Sequence, residues 1–383
     1  MREKVKLLLL PLMIAFIVSC NDDEETATPS NVDDCLIEKS DVTGQIIEGE
    51  YIVTLPAPSA GGRAADISGI LKDNNAASAE IIESFQGENS YYVMELSPDA
   101  AANLKTDARV EAVEPDRRIS MCGCFSVKEP KSVTWNVDRV GYGDGTGKTA
   151  WVIDTGLDSN HPDLKVDKNR SRSFLAGNSS YEDDNGHGTH IGGIIGALNN
   201  TIGTLGVASG ATLVGLKVLD QNGDGKLSGL LNALSYVKGA AKAGDVINIS
   251  IGFPETSEIL EQEIRAIGAK GVYVALAAGN EGAEANGFSP GRTSGNNIYT
   301  VSAVDSLNRF AGFSNFGNDV IDFAAPGVRI LSTYTEGRYA ILSGTSMAAP
   351  HVAGLLLINK GKVNAVGTAA NDPDGVADPL AHL

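Results

Sequence analysis

The sequence predicts an α/β protein: a parallel sheet flanked by helices, preceded by a small α+β domain. Two observations predict it. From Thr149 onward, short apolar segments alternate with helical stretches, the pattern of a parallel sheet covered on both faces. Between Glu50 and Asp116, shorter segments run in the order β-α-β-α-β, a small layered unit. A chain of 383 residues is long enough to hold both.

The elements follow in order. The chain opens on Arg2, Lys4 and Lys6, continues through the apolar Leu7 to Val18 with Pro11 inside it, and leaves through Ser19-Cys20 into the acidic Asn21 to Glu25. That apolar stretch is too short to span a bilayer and has the layout of a signal peptide over residues 1–19. A small residue before a cysteine resembles a bacterial lipobox, which makes Cys20 the lipid-carrying first residue of a lipoprotein. The alternative is an ordinary secretory signal. Residues 20–49, polar and acidic, read as a tether.

Within residues 50–118, Tyr51 to Leu55 reads as a strand. Ala77 to Phe85 reads as a helix, from the spacing of Ile81, Ile82 and Phe85. Tyr91 to Leu96 is a strand, Pro98 to Leu104 a helix and Val110 to Asp116 a strand. Within residues 119–383, apolar strands are expected at Ala150 to Ile153, in Ala211 to Val218, and at Val246 to Ile251, Gly271 to Ala278 and Ile298 to Ala303. Helices are expected at His187 to Leu198, Leu227 to Ala243, Ser257 to Ala269 and Met347 to Asn359. In such sheets the chemistry sits beyond the carboxyl ends of the strands.

Composition narrows the partners. A net charge of −18 argues against nucleic acid and against electrostatic binding to anionic membranes. The four cysteines are Cys20, Cys35, Cys122 and Cys124, so the long remainder holds together without disulfides.

Three segments carry chemistry. Val152-Ile153-Asp154-Thr155-Gly156 puts a carboxylate at the end of a buried strand. Asn185-Gly186-His187-Gly188-Thr189-His190 puts a histidine at a helix start. Ser343-Gly344-Thr345-Ser346-Met347 puts a serine at another. A hydroxyl is a poor nucleophile at neutral pH and needs an adjacent base; histidine is that base, and a carboxylate fixes its tautomer. Alone, each segment is equally well a strand-end cap, a structural histidine or an N-cap. Together they resemble the three active-site signatures of the subtilisin-like serine proteases, the subtilases, and share their chain order of Asp, His, Ser. The resemblance covers Trp135 to Leu356 and, more thinly, Glu50 to Asp116, which is similar to the inhibitory propeptide of that family.

The resemblance implies a subtilisin-like fold and a secreted or cell-envelope serine endopeptidase. Such an enzyme acts on protein or peptide substrates and is autoprocessed from a zymogen by a cut between Asp116 and Val133. Its own propeptide is then an intramolecular inhibitor, and its only membrane contact is a lipid on Cys20. Asp154, His187 and Ser346 form the triad. Asn280, in Ala277-Ala278-Gly279-Asn280, donates to the oxyanion together with the Ser346 amide. An extended substrate pairs with the edges Gly223-Asp224-Gly225 and Ser250-Ile251-Gly252. Ala277, Ala278 and Gly279 line the pocket for the residue before the scissile bond. Phe288 and Glu281 stand at its rim, which suggests tolerance of large apolar side chains. A structural Ca²⁺ falls to Asp163, Leu198, Asn200, Ile202 and Thr204, a hard-oxygen set, and a weaker second cation site to Asp322.

The sequence departs from the family after Ser346, where the chain is short and a covering C-terminal helix is expected to be missing, leaving apolar surface bare. Cys122 and Cys124 flank the propeptide junction, and Cys35 could pair with either. Other signals fail. Asp220 to Gly225 opens like an EF-hand loop, but Leu231 stands where a bidentate Glu is required. Gly145 to Thr149 lacks the first glycine of a phosphate loop and precedes a strand. His187 and His190 have no third zinc ligand. Two rival functions remain: a silent protease fold that holds peptides, and an esterase. Ser346 lacks the Gly-x-Ser-x-Gly elbow that the esterase needs.

Overall fold

The computed structural model describes residues 44–56, 67–86, 89–120, 124–127 and 133–383. The signal segment, Cys20, Cys35, most of the tether and Cys122 lie outside the described residues, as does the side chain of Cys124.

The N-terminal domain consists of β1 (Ile46–Leu55), α1 (Ile67–Asp73), β2 (Ile81–Gln86), β3 (Ser90–Glu95), α2 (Pro98–Lys105) and β4 (Ala112–Ser120). Its strands lie antiparallel in the order β4-β1-β3-β2. The α2 helix starts where its sequence says: Ser97 Oγ accepts from the Ala100 amide at 3.2 Å, and Pro98 takes the first turn. Two expectations are corrected. The tether expected to reach residue 49 ends sooner, because β1 begins at Ile46. The helix expected over 77–85 is instead the edge strand β2, and the helix of that region is α1. Phe85 stacks on Tyr91 of β3 with ring centroids 5.1 Å apart. Cross-strand pairing of an aromatic and two β-branched residues outweighs a helical spacing carried by only three positions. The order is therefore β-α-β-β-α-β.

Alternation along these strands gives the sheet two buried faces. Val53, Leu55 and Met94 pack with Ile70, Leu71 and Leu104 of the domain's own helices. Ile52, Tyr91 and Val93 join a different core, that of the C-terminal domain. Successive side chains point to opposite sides of a strand, so one sheet serves both.

The rest of the chain runs through β5 (Cys124–Val127), α3 (Trp135–Val140), β6 (Gly143–Asp144), β7 (Thr149–Asp154), β8 (Arg172–Ser173), α4 (His187–Gly196) and β9 (Ala208–Ser209), which pairs with β6. Next come β10 (Thr212–Lys217), β11 (Asp224–Lys226), α5 (Leu227–Ala240), β12 (Val246–Ile249), β13 (Phe253–Pro254), α6 (Glu258–Ala269), β14 (Tyr273–Ala277) and β15 (Phe288–Ser289). Last are β16 (Ile298–Val304), β17 (Phe323–Pro326), β18 (Ile330–Tyr334), β19 (Arg338–Ser343), α7 (Thr345–Ile358), β20 (Asn364–Thr368) and β21 (Pro379–His382). Among the described residues, nine strands form one sheet in the order β20-β21-β17-β16-β14-β12-β7-β10-β8. Every neighbouring pair in it is parallel except β20 with β21.

The period of two decides what each face buries. On β7, Ala150 and Val152 face α4 and α7, packing with Ile191, Ile194, Val352 and Leu356. Trp151 and Ile153 face α5 and α6, packing with Leu230, Leu234, Ile259, Leu260 and Ile264. The C-terminal end corrects a further expectation. No helix covers it; β21 instead pairs with β17, and Ala381 is buried in the α4/α7 core while Leu380 is buried beside Ala324. The edge expected to be bare is covered by strands.

Candidate active site

Asp154 ends β7 and is fully buried. Its Oδ1 accepts from the Thr155 amide at 2.7 Å and holds His187 Nδ1 at 2.8 Å. That contact makes Nδ1 the protonated nitrogen and leaves Nε2 as the basic one. Nε2 is buried and has no hydrogen-bond partner.

His187 opens α4, and a second buried carboxylate shapes the turn that delivers it. Asp183 Oδ1 accepts from Thr155 Oγ1 at 2.8 Å and from the amides of Asn185 and Gly186 at 3.0 and 2.8 Å. Its Oδ2 accepts from the Thr189 amide and hydroxyl at 2.9 and 2.6 Å. Burial pushes the Asp183 carboxyl up, and these donors pull it back. Gly186 has φ +118°, and an added Cβ would run into the Tyr334 ring; only glycine fits. Lys217, buried in β10 opposite Asp154, donates to Thr155 O at 2.7 Å and to Asp184 at 2.6 Å. Sequence reasoning missed Asp183 and Lys217. The run Asp183-Asp184-Asn185 before a helix is a capping signal that points to the first. His190 is no metal ligand here: its Nε2 donates to Ile330 O and Ala340 O at 3.0 and 3.1 Å, and burial pulls it down to about 3.

Ser346 lies in the first turn of α7, which packs on α4. Its Oγ donates to Ser250 O at 3.2 Å rather than to His187. Catalytic hydrogen bonds often tighten only when substrate is bound. Asn280 follows β14, and its Oδ1 accepts from the Thr345 amide at 2.8 Å and hydroxyl at 3.0 Å. This anchors the amide beside Ser346 with its NH₂ turned away from Thr345. That Nδ2 is buried without a partner. A buried donor with nothing to bind is costly, and in an acyl-transfer site it is what an oxyanion needs.

The profile of the Subtilase family matches residues 145–370. The M-protease of Shouchella clausii (strain KSM-K16) is 38% identical over 307 residues, covering 78% of this chain and 76% of that protein. The chain belongs to the subtilase family. This subtilase is also similar to subtilisin BL of Lederbergia lenta, 42% identical over 240 residues, which cover 61% of this chain and 86% of that one. The crystal structure of a cold adapted subtilisin-like serine proteinase superposes with a TM-score of 0.57 at 34% identity, covering 65% of this chain and 98% of the other. The subtilase is therefore a subtilisin-like serine endopeptidase.

The expected substrate edges are placed as follows. Gly223 makes a turn at φ +81°, with its amide on Asp220 O at 3.0 Å. Asp224 and Gly225 lie in β11, paired antiparallel with Ser120 and Ile119 at the end of β4. The edge is thus occupied by the subtilase's own N-terminal domain. On the far side, β5 pairs antiparallel with β19, Cys124 opposite Ser343. Ser250, Ile251, Gly252, Ala277, Ala278 and Gly279 line one cavity that opens at Ser346.

Of the residues expected at the cation site, Asp163 is buried. It takes Asn200 Nδ2 on Oδ1 at 2.9 Å and the Thr204 amide on Oδ2 at 3.0 Å, and the Leu198 amide bonds Asp163 O at 3.0 Å. Burial raises the Asp163 carboxyl. Asn200 Oδ1 accepts from the Ile202 amide at 2.9 Å, while the Ile202 side chain is exposed. Asp322 is exposed and binds the Thr300 amide at 2.8 Å.

Proposed function

We propose that Asp154, His187 and Ser346 act as a catalytic triad, and that the enzyme is a zymogen that cuts off its own N-terminal domain. Ser346 Oγ attacks the peptide carbonyl carbon, and its proton passes to His187 Nε2. Asp154 keeps the imidazole in the tautomer that accepts there and stabilises the imidazolium. Asn280 Nδ2 and the Ser346 amide bind the oxyanion. The C–N bond then breaks as His187 protonates the leaving amine, and water repeats the sequence on the acyl-enzyme. The observation that carries this reading is a pair of buried, unpartnered atoms that the reaction requires: His187 Nε2, a base, and Asn280 Nδ2, a donor.

The pairing of β4 up to Ser120 on β11, and of β5 from Cys124 on β19, supports a cut between Ser120 and Cys124. This narrows the expected window of 116 to 133. Residues 50–118 then serve as propeptide and inhibitor, and protein or peptide chains as substrates. The donor set at residues 198–204 suits a structural calcium ion: Asp163 is a buried carboxylate beside Asn200, and Thr204 Oγ1 is buried without a partner. Asp163, Asn200 and the carbonyls of Leu198, Ile202 and Thr204 would hold the ion, which supplies loop rigidity and no chemistry. Asp322 would take a weaker second cation. Residues 1–19 as signal and Cys20 as lipid anchor complete a cell-envelope enzyme. Among the described residues no helix is long and apolar enough to cross a membrane.

The test is to express residues 21–383 and a Ser346→Ala form with calcium and follow chain mass. The wild type is expected to split between Ser120 and Cys124 and then degrade casein, while the variant stays whole. If both stay whole and neither reacts with a fluorophosphonate, the silent peptide-binding fold replaces this reading.

A further inference from the structure

Lys217 is a buried cation that the triad does not account for. None of its side chain is exposed, and it stands on β10 in register with Asp154 on β7. Partners on neighbouring strands point to the same face of a sheet, with the strands about 4.8 Å apart. The ammonium group is therefore lodged beside the carboxylate that holds His187.

Lys217 secures Thr155. The Thr155 amide donates to Asp154 Oδ1 at 2.7 Å. Its hydroxyl donates to Asp183 at 2.8 Å and accepts from the Gly188 amide at 2.9 Å. Its carbonyl accepts from Lys217 Nζ at 2.7 Å. One residue thus ties together Asp154, the turn before α4, α4 itself and β10. A neutral donor would satisfy that carbonyl equally well. A buried ammonium is costly, so its charge asks for a reason.

The reason lies in the charges around His187. Helix α4 packs against β7, β9, β10, β18 and α7. Strand β9 brings no titratable group. Strand β18 brings Tyr334, whose hydroxyl burial pushes up to about 12. Helix α7 brings His351 and α4 itself brings His190, which burial pulls down to about 4 and about 3. All three are uncharged near neutral pH. On the loops, Asp158 and Glu182 bond Asn160 and Ser159 at the surface. The charges left are the carboxylates of Asp154 and Asp183, the ammonium of Lys217 and the carboxylate of Asp184, 2.6 Å from Lys217 Nζ. Two buried carboxylates favour an imidazolium, and Lys217 opposes it. Asp184 is 44% exposed while Lys217 is wholly buried. Water screens Asp184 more, and the pair presents net positive charge to the interior. Left to Asp154 and Asp183, the imidazole would hold a proton and could not take one from Ser346.

We propose that Lys217 is a positioning residue whose buried charge keeps His187 free to accept a proton in the resting enzyme, and that Asp184 sets how much of that charge His187 feels. The proposal rests on the triad reading above and describes how the same site is tuned.

The experiment follows kcat/KM for a peptide p-nitroanilide against pH, which reports the free enzyme. It compares the processed wild type with Lys217→Met and Asp184→Asn. Each profile is scaled to its own plateau, so a general loss of activity cancels. In Lys217→Met the acid limb is expected to move to higher pH, lowering scaled kcat/KM there by about 3–10-fold. In Asp184→Asn it is expected to move to lower pH, raising scaled kcat/KM on the limb by at least about 2-fold. Opposite shifts are the signature of charge, since a merely structural pair would move both profiles alike or neither. Asp184→Asn changes a part-exposed side chain and leaves the Lys217 bond to Thr155 O in place, so it decides the matter even if Lys217→Met fails to fold. An unmoved limb in folded Asp184→Asn, or shifts of the same sign in both variants, overturns the proposal and leaves the triad reading intact. A wild type that neither hydrolyses the substrate nor reacts with a fluorophosphonate brings down the triad reading and the proposal with it.

Discussion

At Asn280, a single side chain carries the proposed oxyanion donor. Its oxygen is committed to Thr345 and its NH₂ is buried without a partner. In the proposed mechanism that donor is desolvated beforehand and needs no rearrangement during the reaction. Asn280→Ala is expected to lower kcat by roughly 10²–10³-fold with little change in KM, the size known for loss of such a donor in subtilisin; steady-state kinetics on the processed enzyme measure it. A rise in KM with kcat unchanged would instead assign Asn280 to binding that ground and transition states share. The side chain was picked out in the sequence because Ala277-Ala278-Gly279-Asn280 resembles the oxyanion segment of the subtilases. Asp183 was not picked out, because its five donors meet only once the turn over 185–189 folds back on it and Thr155 arrives from the end of β7.

At the scale of elements, β4 joins two domains. Its residues alternate: Val113 packs into the N-terminal core, while Glu114 and Asp116 reach the helices of the C-terminal domain. Glu114 accepts from Ser257 Oγ at 2.7 Å at the start of α6, and Asp116 from Ser228 Oγ at 2.6 Å in the first turn of α5. Carboxylates at helix N-termini meet unsatisfied N–H groups and the positive end of the dipole. Beyond them Ile119 is completely buried, with Cγ1 3.1 Å from where a Cβ on Gly225 would sit. Ile119→Ala removes a fully buried side chain from the contact, a change that costs about 2–5 kcal/mol in a core. The separated N-terminal domain carrying it is expected to inhibit the processed enzyme at least about 30-fold more weakly than wild type. Titrating residual activity against added domain checks this, and equal inhibition by both forms would place the binding energy elsewhere. The strands and helices of the C-terminal domain were readable because each is long and strongly patterned. The helix expected over 77–85 failed because three apolar residues suit either period, and the neighbouring strand made the choice.

Over the whole molecule, net charge is −18, and acidic groups crowd together in the fold. Asp378 is 4% exposed; burial first, then repulsion from Asp372, Asp374 and Asp322, pushes it up to about 7, against the hydrogen bond from Ser302. A pKa raised by folding means that the folded state binds the proton more tightly. The associated stability is fully present below about 3.8 and is lost as pH rises from there through about 7. His190 and His351 act with the opposite sign. Burial pulls them down to about 3 and about 4, so they favour the fold above about 6.5 and weaken it as pH falls from there. Asp378→Asn, in a Ser346→Ala chain that cannot digest itself, is expected to raise Tm by several degrees at pH 8 and to leave it nearly unchanged at pH 4. Thermal melts at the two pH values test this, and an equal shift at both would show that the charge is not the cause.

The sequence alone carried the α/β class, the strand-helix alternation and the segments that hold Asp154, His187 and Ser346, the proposed triad. Those depend on local patterns: a period of two or 3.6 along an element, and a carboxylate, an imidazole and a hydroxyl in short distinctive segments. Tertiary structure decided what depends on meetings between distant segments. It turned 81–86 into an edge strand against Tyr91, brought β21 against β17, and paired β4 with β11. It also brought residues 250–252 and 277–279 together to line one cavity at Ser346. A cavity is a property of the space between elements, and no local pattern carries it.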